Sequence, residues 1–541
     1  MTTRPWLSHY PEGVRSSGLD YQNVSLFSVL DRTAAAYGEK NAIYFYGRRL
    51  TYRQLAGAVN KFANALIAVG LKKGDRVVLM SPNTPQYVIA FFGIMKAGGI
   101  VVQANPLYVE DEIEYLCNNS GAMALVVPDL LYPRVANVRA KTPLRHVFVF
   151  KLKGDPVDAA ASSFEAAMEA APHTDPGVAV TGDDVAVLQY TGGTTGVSKG
   201  AMLTHKNLVA NALQVTEWFL PLGTPAGEER ILTVLPLFHV YGMTCCMTNA
   251  IFNASEMILL PKFDLPEVMQ TIKATQPTAF PGVPTMYVAV NAYPGAEEYG
   301  VGSIRTCFSG GAAMPVEVMK QFEKRFGAVI VEGYGLSEAS PVTHCNPLVG
   351  LRKPGSIGVS YPDTDCRIVD VETGTLEVAV GEPGELIIRG PQVMQGYWNM
   401  PEETKVALRE FRGENWLYTG DIARMDEDGY FYITDRKKDM IIVSGFNVYP
   451  RDVEEALYRH PAVQEAVVAG VPDEYRIETV KAYVVVKAGQ SVTAEELDAH
   501  CRQHLAAFKV PRLYEFRALL PKSAVGKVLR RVLVAEEKQK R

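Results

Sequence analysis

The sequence lacks the features that mark several large protein classes. Its net charge is −5 at pH 7, so it carries no excess of basic residues for binding nucleic acid. Its seven cysteines are odd in number and form no C-x-x-C pair, and no signal peptide opens the chain. These absences predict a protein of the reducing cytoplasm, without a disulfide framework or a structural zinc site.

Long hydrophobic runs are also absent. Residues 231–255 come closest to a membrane span, because they contain no Asp, Glu, Lys or Arg. However, Pro236, His239, Asn249 and Asn253 interrupt the run, and such residues disfavour a helix that faces lipid. The stretch is therefore expected to form a buried wall inside a folded domain.

The length of 541 residues predicts more than one domain. Over residues 41–150 and again over 257–280, apolar segments alternate with amphipathic ones. Such alternation indicates an α/β fold of layers with parallel sheets. The predicted elements are strands at residues 76–80, 100–103, 257–260, 278–280, 463–471 and 480–486, and helices at 87–97, 265–275, 450–458 and 494–507.

The pattern changes in the second half of the chain. Residues 356–432 consist of short strands with glycine-rich turns, which predict a β-barrel-like subdomain of the large N-terminal domain. A small α+β domain is expected after the charged run DRKKD at residues 435–439. The predicted domains are therefore residues 1–435 and residues 436–541.

The most informative stretch is residues 190–200, YTGGTTGVSKG. Glycines let backbone N–H groups approach a ligand, hydroxyl groups add donors, and lysine adds a compact charge, which together predict a cradle for a polyphosphate. The apolar run 185–188 before it indicates a strand, and the amphipathic run 205–219 after it indicates a helix. It is not a P-loop, because its lysine precedes a glycine rather than Ser or Thr. A flexible linker is the alternative interpretation.

This loop resembles the phosphate-binding motif of the adenylate-forming enzymes, which comprise acyl-CoA synthetases, peptide-synthetase adenylation domains and firefly luciferase. The resemblance covers nearly the whole chain and continues in EGYGLSE at residues 332–338 and PKSAVGKVLRR at 521–531. Residues 415–450 are most similar to bacterial long-chain fatty acid–CoA ligases. The resemblance implies that an acid is joined to AMP with release of diphosphate, and that the acyl group then passes to the thiol of CoA.

The resemblance also implies which residues bind ATP and Mg²⁺, the cation that ATP phosphates require. Glu338 and Thr191 are the implied magnesium ligands and take part in catalysis. Tyr334 is expected to stack on adenine, and Ser337 to contact the α-phosphate. The remaining implied nucleotide contacts are Gly192, Gly193, Thr194, Thr195, Gly196, Lys199, Gly311, Ala312, Ala313, Glu332, Gly333, Gly335, Asp421, Ile433, Arg436 and Lys527.

Three of these residues have specific implied roles. Asp421 and Arg436 resemble the ribose contacts of the family, and a carboxylate can accept hydrogen bonds from both ribose hydroxyls. Lys527 resembles the catalytic lysine, a cation placed where charge develops between the attacking carboxylate and the α-phosphate. From the residues alone, the alternatives are that Asp421 caps a turn and that Lys527 belongs to a basic tail.

The prediction of which acid is bound rests on amino-acid composition as well as on the resemblance. Residues 235–246 are uncharged and mostly apolar, whereas an amino-acid substrate would need a carboxylate for its ammonium group. An acid with an apolar tail is therefore favoured, and each buried methylene would add about 0.8 kcal/mol to binding. His239 either acts at the carboxylate end of this pocket or is a core histidine with satisfied hydrogen bonds. The implied acyl pocket consists of Phe238, His239, Met243, Gly310 and Gly335.

Transfer to CoA implies a rotation of the small, mobile C-terminal domain between two half-reactions. The implied pivot is Lys438, two residues after the ribose-binding arginine. The turn that contains Ser444, Gly445 and Phe446 is expected to line the tunnel for the pantetheine arm of CoA.

Three alternatives stay open at this stage. They are a medium-chain or aryl acid–CoA ligase, a fatty acyl-AMP ligase that stops at the adenylate, and a binding protein without catalysis. The last would lose Glu338 or Lys527, and both are present. The expected partners are the fatty acid, ATP and CoA, with Mg²⁺ and without nucleic acid. Peripheral contact with the inner face of the membrane and a homodimer are left open beside a cytoplasmic location.

Overall fold

The computed structural model describes residues 4–152, 161–191, 198–437, 439–443, 446–473, 477–523, 526 and 528–540. Its α-helices are α1 Leu26–Tyr37, α2 Tyr52–Ala68, α3 Pro85–Lys96, α4 Glu110–Ser120, α5 Tyr132–Val138, α6 Phe164–Ala170, α7 His205–Phe219, α8 Asn249–Phe252, α9 Leu265–Thr275, α10 Pro284–Ala292, α11 Val316–Phe326, α12 Pro401–Ala407, α13 Pro450–Tyr458, α14 Ala494–His504 and α15 Arg530–Gln539. Its strands are β1 Asn41–Phe45, β2 Arg48–Thr51, β3 Arg76–Met80, β4 Ile100–Ala104, β5 Ala124–Pro128, β6 His146–Phe150, β7 Ser162–Ser163, β8 Val185–Thr191, β9 Lys199–Thr204, β10 Arg230–Thr233, β11 Glu256–Leu259, β12 Ala279–Gly282, β13 Thr306–Ser309, β14 Val329–Gly335, β15 Val342–Cys345, β16 Val359–Ser360, β17 Asp365–Val369, β18 Gly384–Arg389, β19 Leu408–Phe411, β20 Glu414–Met425, β21 Phe431–Arg436, β22 Ile441–Val443, β23 Phe446–Val448, β24 Val463–Asp473, β25 Ile477–Val486 and β26 Leu513–Phe516.

Two large sheets organise the first part of the chain. Their strand orders are β16-β15-β14-β13-β12-β10-β11-β1-β2 and β7-β6-β5-β3-β4-β8-β9. The central strands pair in parallel, and the antiparallel pairs are formed near the sheet edges by β2, β15, β16 and β9. Every residue of β4 and β5 is buried, as expected for strands covered on both faces. The predicted α/β layers with parallel sheets are confirmed.

Side-chain caps determine where several helices begin. Thr51 and Thr204 each accept the N–H of the third helical residue, while Gln54 and Asn207 bond back to the capping N–H. Thr84 caps α3 in a similar way. Because Thr204 is also the last residue of β9, the chain turns directly from that strand into α7.

Most predicted elements agree with the structure. The predicted strand 76–80 is β3, and the predicted helices 265–275 and 450–458 are α9 and α13 with the same bounds. The other predicted elements are present, with ends that shift by up to three residues. The sequence pattern does not predict β9, which lies between the loop and α7. This short strand is stabilised by antiparallel pairing with β8, and such pairing leaves little trace in a local pattern.

The segment predicted to be a β-barrel-like subdomain forms an antiparallel sheet. Its order is β17-β18-β20-β19, and β21 also pairs with β20. Within the long strand β20, Asp421 lies opposite Arg436 of β21. The last strand of this sheet therefore leads directly from the predicted ribose-binding residues into the C-terminal part of the chain.

The C-terminal part has its own sheet, in the order β23-β22-β25-β24, and β26 pairs with β25 in parallel. Helices α13 and α14 pack on one face and bury a cluster that includes Val453, Leu457 and Leu497. Helix α15 packs on the opposite face, where Leu533 is completely buried beside Tyr483. The predicted small α+β unit is thus a sheet with separate apolar clusters on its two faces.

Residues 231–255 form an interior wall, as predicted. They include a π-helix, Gly242–Thr248, in which every residue is buried. A Cβ atom on Gly242 would lie 2.4 Å from the carbonyl oxygen of Pro236, so this approach requires glycine. Among the described residues, no helix combines the length and the apolar character that crossing a membrane requires.

Candidate functional site

The predicted phosphate loop connects β8 to β9. Thr191 and Lys199 face each other at its base, where the two strands pair. Ser198 Oγ donates to the Thr191 carbonyl oxygen at 2.8 Å and closes the base. Gly192, Gly193, Thr194, Thr195 and Gly196 lie outside the described residues. The hairpin therefore presents Thr191 and Lys199 at the entrance to the predicted cradle.

Lys199 belongs to a polar cluster that reaches the predicted magnesium ligand. Its ammonium group pairs with Glu403 of α12 and lies 5.5 Å from the centre of the Tyr397 ring. The Tyr397 hydroxyl donates to Glu338 Oε1 at 2.7 Å. We call Lys199, Glu403, Tyr397 and Glu338 the carboxylate cluster. The structure thus brings Lys199 and Glu338 together through two residues that sequence reasoning missed.

Backbone contacts hold Tyr397 in this cluster. The segment 394–398 runs beside β9, where Met202 N–H donates to the Gly396 carbonyl and Trp398 N–H donates to the Gly200 carbonyl. Met394 N–H donates to the carbonyl of Glu338 itself. Burial, reinforced by the charges of Glu338 and Glu403, raises the pKa of Tyr397 well above its ordinary value. Its hydroxyl therefore remains a hydrogen-bond donor to Glu338.

The predicted ribose-binding residue contacts the predicted adenine-binding residue. The Tyr334 hydroxyl donates to Asp421 Oδ2 at 2.5 Å, and Asp421 is buried. Asp421 N–H donates to Thr419 Oγ1, which itself donates to the Leu386 carbonyl and fixes the turn. A cavity of about 80 Å³ is lined by Leu336, Glu338, Tyr397, Leu417, Tyr418, Thr419 and Asp421. The carboxylates of Glu338 and Asp421 thus border one small polar space.

The predicted adenine segment, residues 311–313, follows strand β13. Gly311, Ala312 and Ala313 are exposed after the end of β13, and Gly311 has a φ of +79°, which favours glycine. A Cβ atom on Gly311 would lie 3.5 Å from Val283. Val283 is also next to Gly526, as described below. The predicted adenine segment is therefore open to solvent.

Glu332 is bonded to the backbone that surrounds this segment. Its carboxylate accepts the N–H of Met314 at 3.1 Å and that of Gly355 at 2.8 Å. Burial raises its pKa to about 7, against the opposing effects of Arg451 and the two N–H donors. Glu332 thus ties strand β14 to the end of the adenine segment, a role that its place in the motif does not reveal.

Gly526, the residue before Lys527, lies against the start of helix α10 in the predicted N-terminal domain. A Cβ atom on Gly526 would lie 3.1 Å from Thr285 Oγ1 and 3.1 Å from Val283 Cγ2, and Gly526 has a φ of +77°. Lys527 itself lies outside the described residues. The C-terminal segment that carries the predicted catalytic lysine is therefore seated beside the adenine segment.

Two of the predicted acyl-pocket residues, His239 and Gly310, contact Tyr241. Its ring packs against the backbone of Gly310, and its hydroxyl donates to the carbonyls of Gly282 and Phe308. His239 Nδ1 accepts the N–H of Tyr241 at 3.2 Å. Sequence reasoning missed Tyr241, although it belongs to the uncharged stretch that indicates the pocket. Tyr241 joins the apolar wall to Gly310, the residue just before the adenine segment.

Two other predicted pocket residues, Phe238 and Met243, belong to the buried wall of residues 231–255, whereas Gly335 lies in β14. Gln189 of β8 donates to the Phe238 carbonyl at 3.1 Å, and the Met243 sulfur accepts from Gln103 Nε2 at 3.6 Å. A Cβ atom on Gly335 would lie 2.2 Å from the carbonyl oxygen of Pro341, so Gly335 is required by packing. Strand β8, which leads to the predicted phosphate loop, is therefore also bonded to the predicted acyl wall.

Most of the remaining predicted site residues lie near the connection to the C-terminal sheet; Ser337, between β14 and β15, is the exception. Ile433 is half-buried in β21, and Arg436 lies at its end. Ser337 starts a short 3₁₀ turn that also contains Glu338. Lys438, Ser444 and Gly445 lie outside the described residues. The backbone of Phe446 pairs with that of Val443 in the β22–β23 hairpin.

The available carboxylate, Glu338, is suited to binding magnesium together with a nucleotide. Among the described residues, no group of three or more His, Cys, Asp and Glu is arranged to hold a metal ion by itself. Mg²⁺ is commonly held by one or two carboxylates and by the phosphates of the substrate. The Glu338 carboxylate, beside the loop predicted to bind phosphate, fits this second mode.

Two buried histidines lie in this region and predict acid sensitivity. Burial lowers the pKa of His344, beneath Tyr334, to about 3, and lowers the pKa of His205, after β9, to about 4. An unfolded histidine titrates near pH 6.5, so between about pH 4 and 6.5 the unfolded state binds more protons than the native state. Each histidine should therefore lower the free energy of unfolding by about 1.4 kcal/mol per pH unit of acidification.

We expect His344→Phe to remove one of these two contributions. Urea unfolding at pH 7.0 and pH 5.0 should show a smaller loss of stability in the variant than in the parent. The difference should vanish between pH 7.5 and 8.5, where histidine is neutral in both states. An identical pH slope in the two proteins would contradict this account.

Two family models match the sequence of this chain. The family model for AMP-binding enzymes matches residues 30–398, and the model for the C-terminal domain of AMP-binding enzymes matches residues 452–527. The chain belongs to the AMP-binding enzyme family. This AMP-binding enzyme is 47% identical over 562 aligned positions to the long-chain-fatty-acid–CoA ligase of Bacillus subtilis (strain 168), covering 99% of this chain and 98% of the relative.

Two further likenesses extend over nearly the whole AMP-binding enzyme. The long-chain-fatty-acid–CoA ligase of Escherichia coli O157:H7 is 39% identical over 569 aligned positions, covering 99% of this chain and 98% of the relative. The crystal structure of an anthranilate CoA ligase in complex with anthranoyl-AMP superposes with a TM-score of 0.90 at 29% identity, covering 96% of this chain and 99% of that one. The predicted family and fold class are confirmed.

Proposed function

We propose that this AMP-binding enzyme is a long-chain fatty acid–CoA ligase. It converts ATP, a fatty acid and CoA into acyl-CoA, AMP and diphosphate through an acyl-adenylate. One observation carries this proposal. Tyr241, in the uncharged wall of residues 231–255, packs on Gly310, which directly precedes the predicted adenine segment at Gly311. An acid whose apolar tail lies along that wall has its carboxylate directed toward the adenine segment.

In the first half-reaction, a carboxylate oxygen of the acid attacks the α-phosphorus of ATP and diphosphate leaves. Asp421 accepts hydrogen bonds from the ribose, and Tyr334 holds that carboxylate in place. Lys199 and the backbone of the phosphate loop bind the phosphates. Lys527 stabilises the charge that develops at the α-phosphate. Glu338 and Thr191 would hold Mg²⁺ together with ATP, and the ion would supply charge neutralisation of the phosphates.

In the second half-reaction, the CoA sulfur attacks the acyl carbonyl and AMP leaves, while the thiol proton is released. Lys527 is not needed at this step, because the phosphoryl transfer is complete. We propose that the domains are residues 1–435 and 436–541 and that the second rotates about Lys438. Ser444, Gly445 and Phe446 would then line the path of the pantetheine arm. The separate sheet and apolar clusters of the C-terminal part support this division.

The activity is tested by measuring AMP release from ATP with palmitate, with and without CoA. Turnover only with CoA, with palmitoyl-CoA as product, is the expected result. Adenylate that accumulates without any requirement for CoA would indicate a fatty acyl-AMP ligase. Activity with benzoate or octanoate but none with palmitate would indicate an aryl or medium-chain ligase and overturn the long-chain proposal.

We also propose peripheral contact with the inner face of the membrane and a homodimer. The apolar tail of the substrate supports the first, since long-chain acids partition into lipid, and Leu107 and Val109 are large exposed apolar side chains near each other in sequence. Analogy with related synthetases supports the second. Flotation with lipid vesicles tests membrane contact, and sedimentation equilibrium tests the dimer.

A further inference from the structure

Asp435, the penultimate residue of β21, accepts hydrogen bonds from Arg451 and Arg530 in the C-terminal part of the chain. Its carboxylate accepts the backbone N–H of Arg451 at 3.2 Å and Nη1 of Arg530 at 3.2 Å. The Asp435 side chain is only 4% exposed. Asp435 precedes the connection between β21 and β22, whereas both donors follow it. These hydrogen bonds therefore join the two sides of that connection.

Arg451 extends this junction toward the nucleotide side. From the first turn of α13, its Nη1 donates to the Ile433 carbonyl at 2.7 Å and its Nη2 donates to the Gly355 carbonyl at 3.1 Å. The N–H of Gly355 in turn donates to Glu332, which also binds Met314 beside the adenine segment. The start of α13 is thus connected through three residues to the predicted nucleotide site.

Arg530 extends the junction toward the segment that carries the catalytic lysine. It begins α15, three residues after Lys527 in the sequence. Besides Asp435, it binds Asp439 at 3.1 Å and Glu454 at 2.8 Å. Glu454 follows the connection and Asp439 follows the proposed pivot Lys438, so both would move together with Arg530. Of the three carboxylates that bind Arg530, only Asp435 precedes the proposed pivot Lys438.

We propose that Asp435 is a positioning residue that latches the C-terminal part in the arrangement for adenylate formation, through Arg451 and Arg530. This inference rests on the proposed ligase function and on its rotation. In the arrangement described, Gly526 lies beside Val283 and Thr285, so the latch holds the lysine-bearing segment at the predicted nucleotide site. Rotation between β21 and β22 breaks both hydrogen bonds to Asp435 and leaves the Arg530–Glu454 pair intact.

The variant that tests the latch is Asp435→Asn. It keeps the size of the side chain and one acceptor oxygen, but it removes the charge that faces Arg530. Arg530 keeps Asp439 and Glu454 as partners, so its charge is not left buried alone. The matched control is Glu454→Gln, which removes one carboxylate from the same arginine but only within the C-terminal part.

Both half-reactions are measured separately. We expect Asp435→Asn to slow single-turnover formation of palmitoyl-adenylate about tenfold, since hydrogen bonds to charged groups are the stronger ones. Transfer from supplied palmitoyl-adenylate to CoA should be unchanged or faster, because the alternative arrangement becomes more populated. Glu454→Gln should change both rates by similar factors. Equal losses in both half-reactions of Asp435→Asn, or no change in either, would overturn the latch.

A second measurement does not depend on ligase activity. Trypsin cleaves after Arg and Lys, and the run 435–439 contains three such sites between the two sides of the junction. Limited digestion should cut this run several-fold faster in Asp435→Asn than in the parent, and no faster in Glu454→Gln. If the parent proves inactive with every acid, the proposed function fails. The latch is then judged by cleavage alone, and an unchanged cleavage rate rejects it.

Discussion

Replacing Lys527 by alanine is expected to slow acyl-adenylate formation by about 10²–10³-fold, the usual cost of removing one preorganised charge from a transition state. Transfer from supplied acyl-adenylate to CoA should stay within about twofold of the parent, because no phosphoryl group moves in that step. The position of Gly526 against Val283 and Thr285 places the neighbouring residue at the nucleotide side. Single-turnover assays of each half-reaction measure the two effects.

Lys522 provides the matched control in the same segment. It pairs with Glu465 on the C-terminal sheet at 2.7 Å and so belongs to the surface of that sheet. Lys522→Ala removes the same charge from the same basic segment and should leave adenylate formation nearly unchanged. If Lys522→Ala and Lys527→Ala lose activity alike, or if Lys527→Ala loses both half-reactions equally, a general effect of basic charge would replace the specific role.

The elements that sequence reasoning predicted well are those whose pattern is local. Strand β3 is an apolar run that follows Arg76, and α9 and α13 each have a proline within their first two residues and show clear helical periodicity, so their bounds agree with the prediction. Strand β9 is longer than β3, so length does not explain why sequence reasoning missed it; it pairs with β8 across the loop. The stability that a strand gains from pairing depends on its partner strand in the fold, so the sequence of the strand itself does not reveal it.

The same distinction applies to the candidate site. Glu338, Asp421 and Lys199 lie in motifs with unusual composition, so each could be predicted individually. Tyr397 lies 59 positions from Glu338 in a segment that has no chemical signature of its own. Its importance follows from the backbone pairing of its segment with β9, which only the fold reveals. Asp435 is comparable, since its place in a charged run indicated a boundary but not its partners.

Replacing Glu338 by glutamine is expected to lower adenylate formation by about 10²-fold at millimolar Mg²⁺ and to raise the Mg²⁺ concentration needed for half-maximal rate. The amide keeps an oxygen that can accept from the Tyr397 hydroxyl, so the packing of the cluster is preserved while the ligand charge is lost. A titration of the single-turnover rate with Mg²⁺ measures both effects. An unchanged half-saturating concentration would contradict the assignment of Glu338 as a magnesium ligand.

Tyr397→Phe separates the charge of Glu338 from its orientation. This variant leaves the carboxylate but removes the hydroxyl that holds it, so the expected loss is smaller, about tenfold, and is recovered by excess Mg²⁺. In Glu338→Gln the loss should persist at excess Mg²⁺, because an amide oxygen is a weaker ligand than a carboxylate. If both variants respond to Mg²⁺ in the same way, the hydroxyl of Tyr397 is as important as the carboxylate charge. The cluster would then act through geometry rather than by holding the ion.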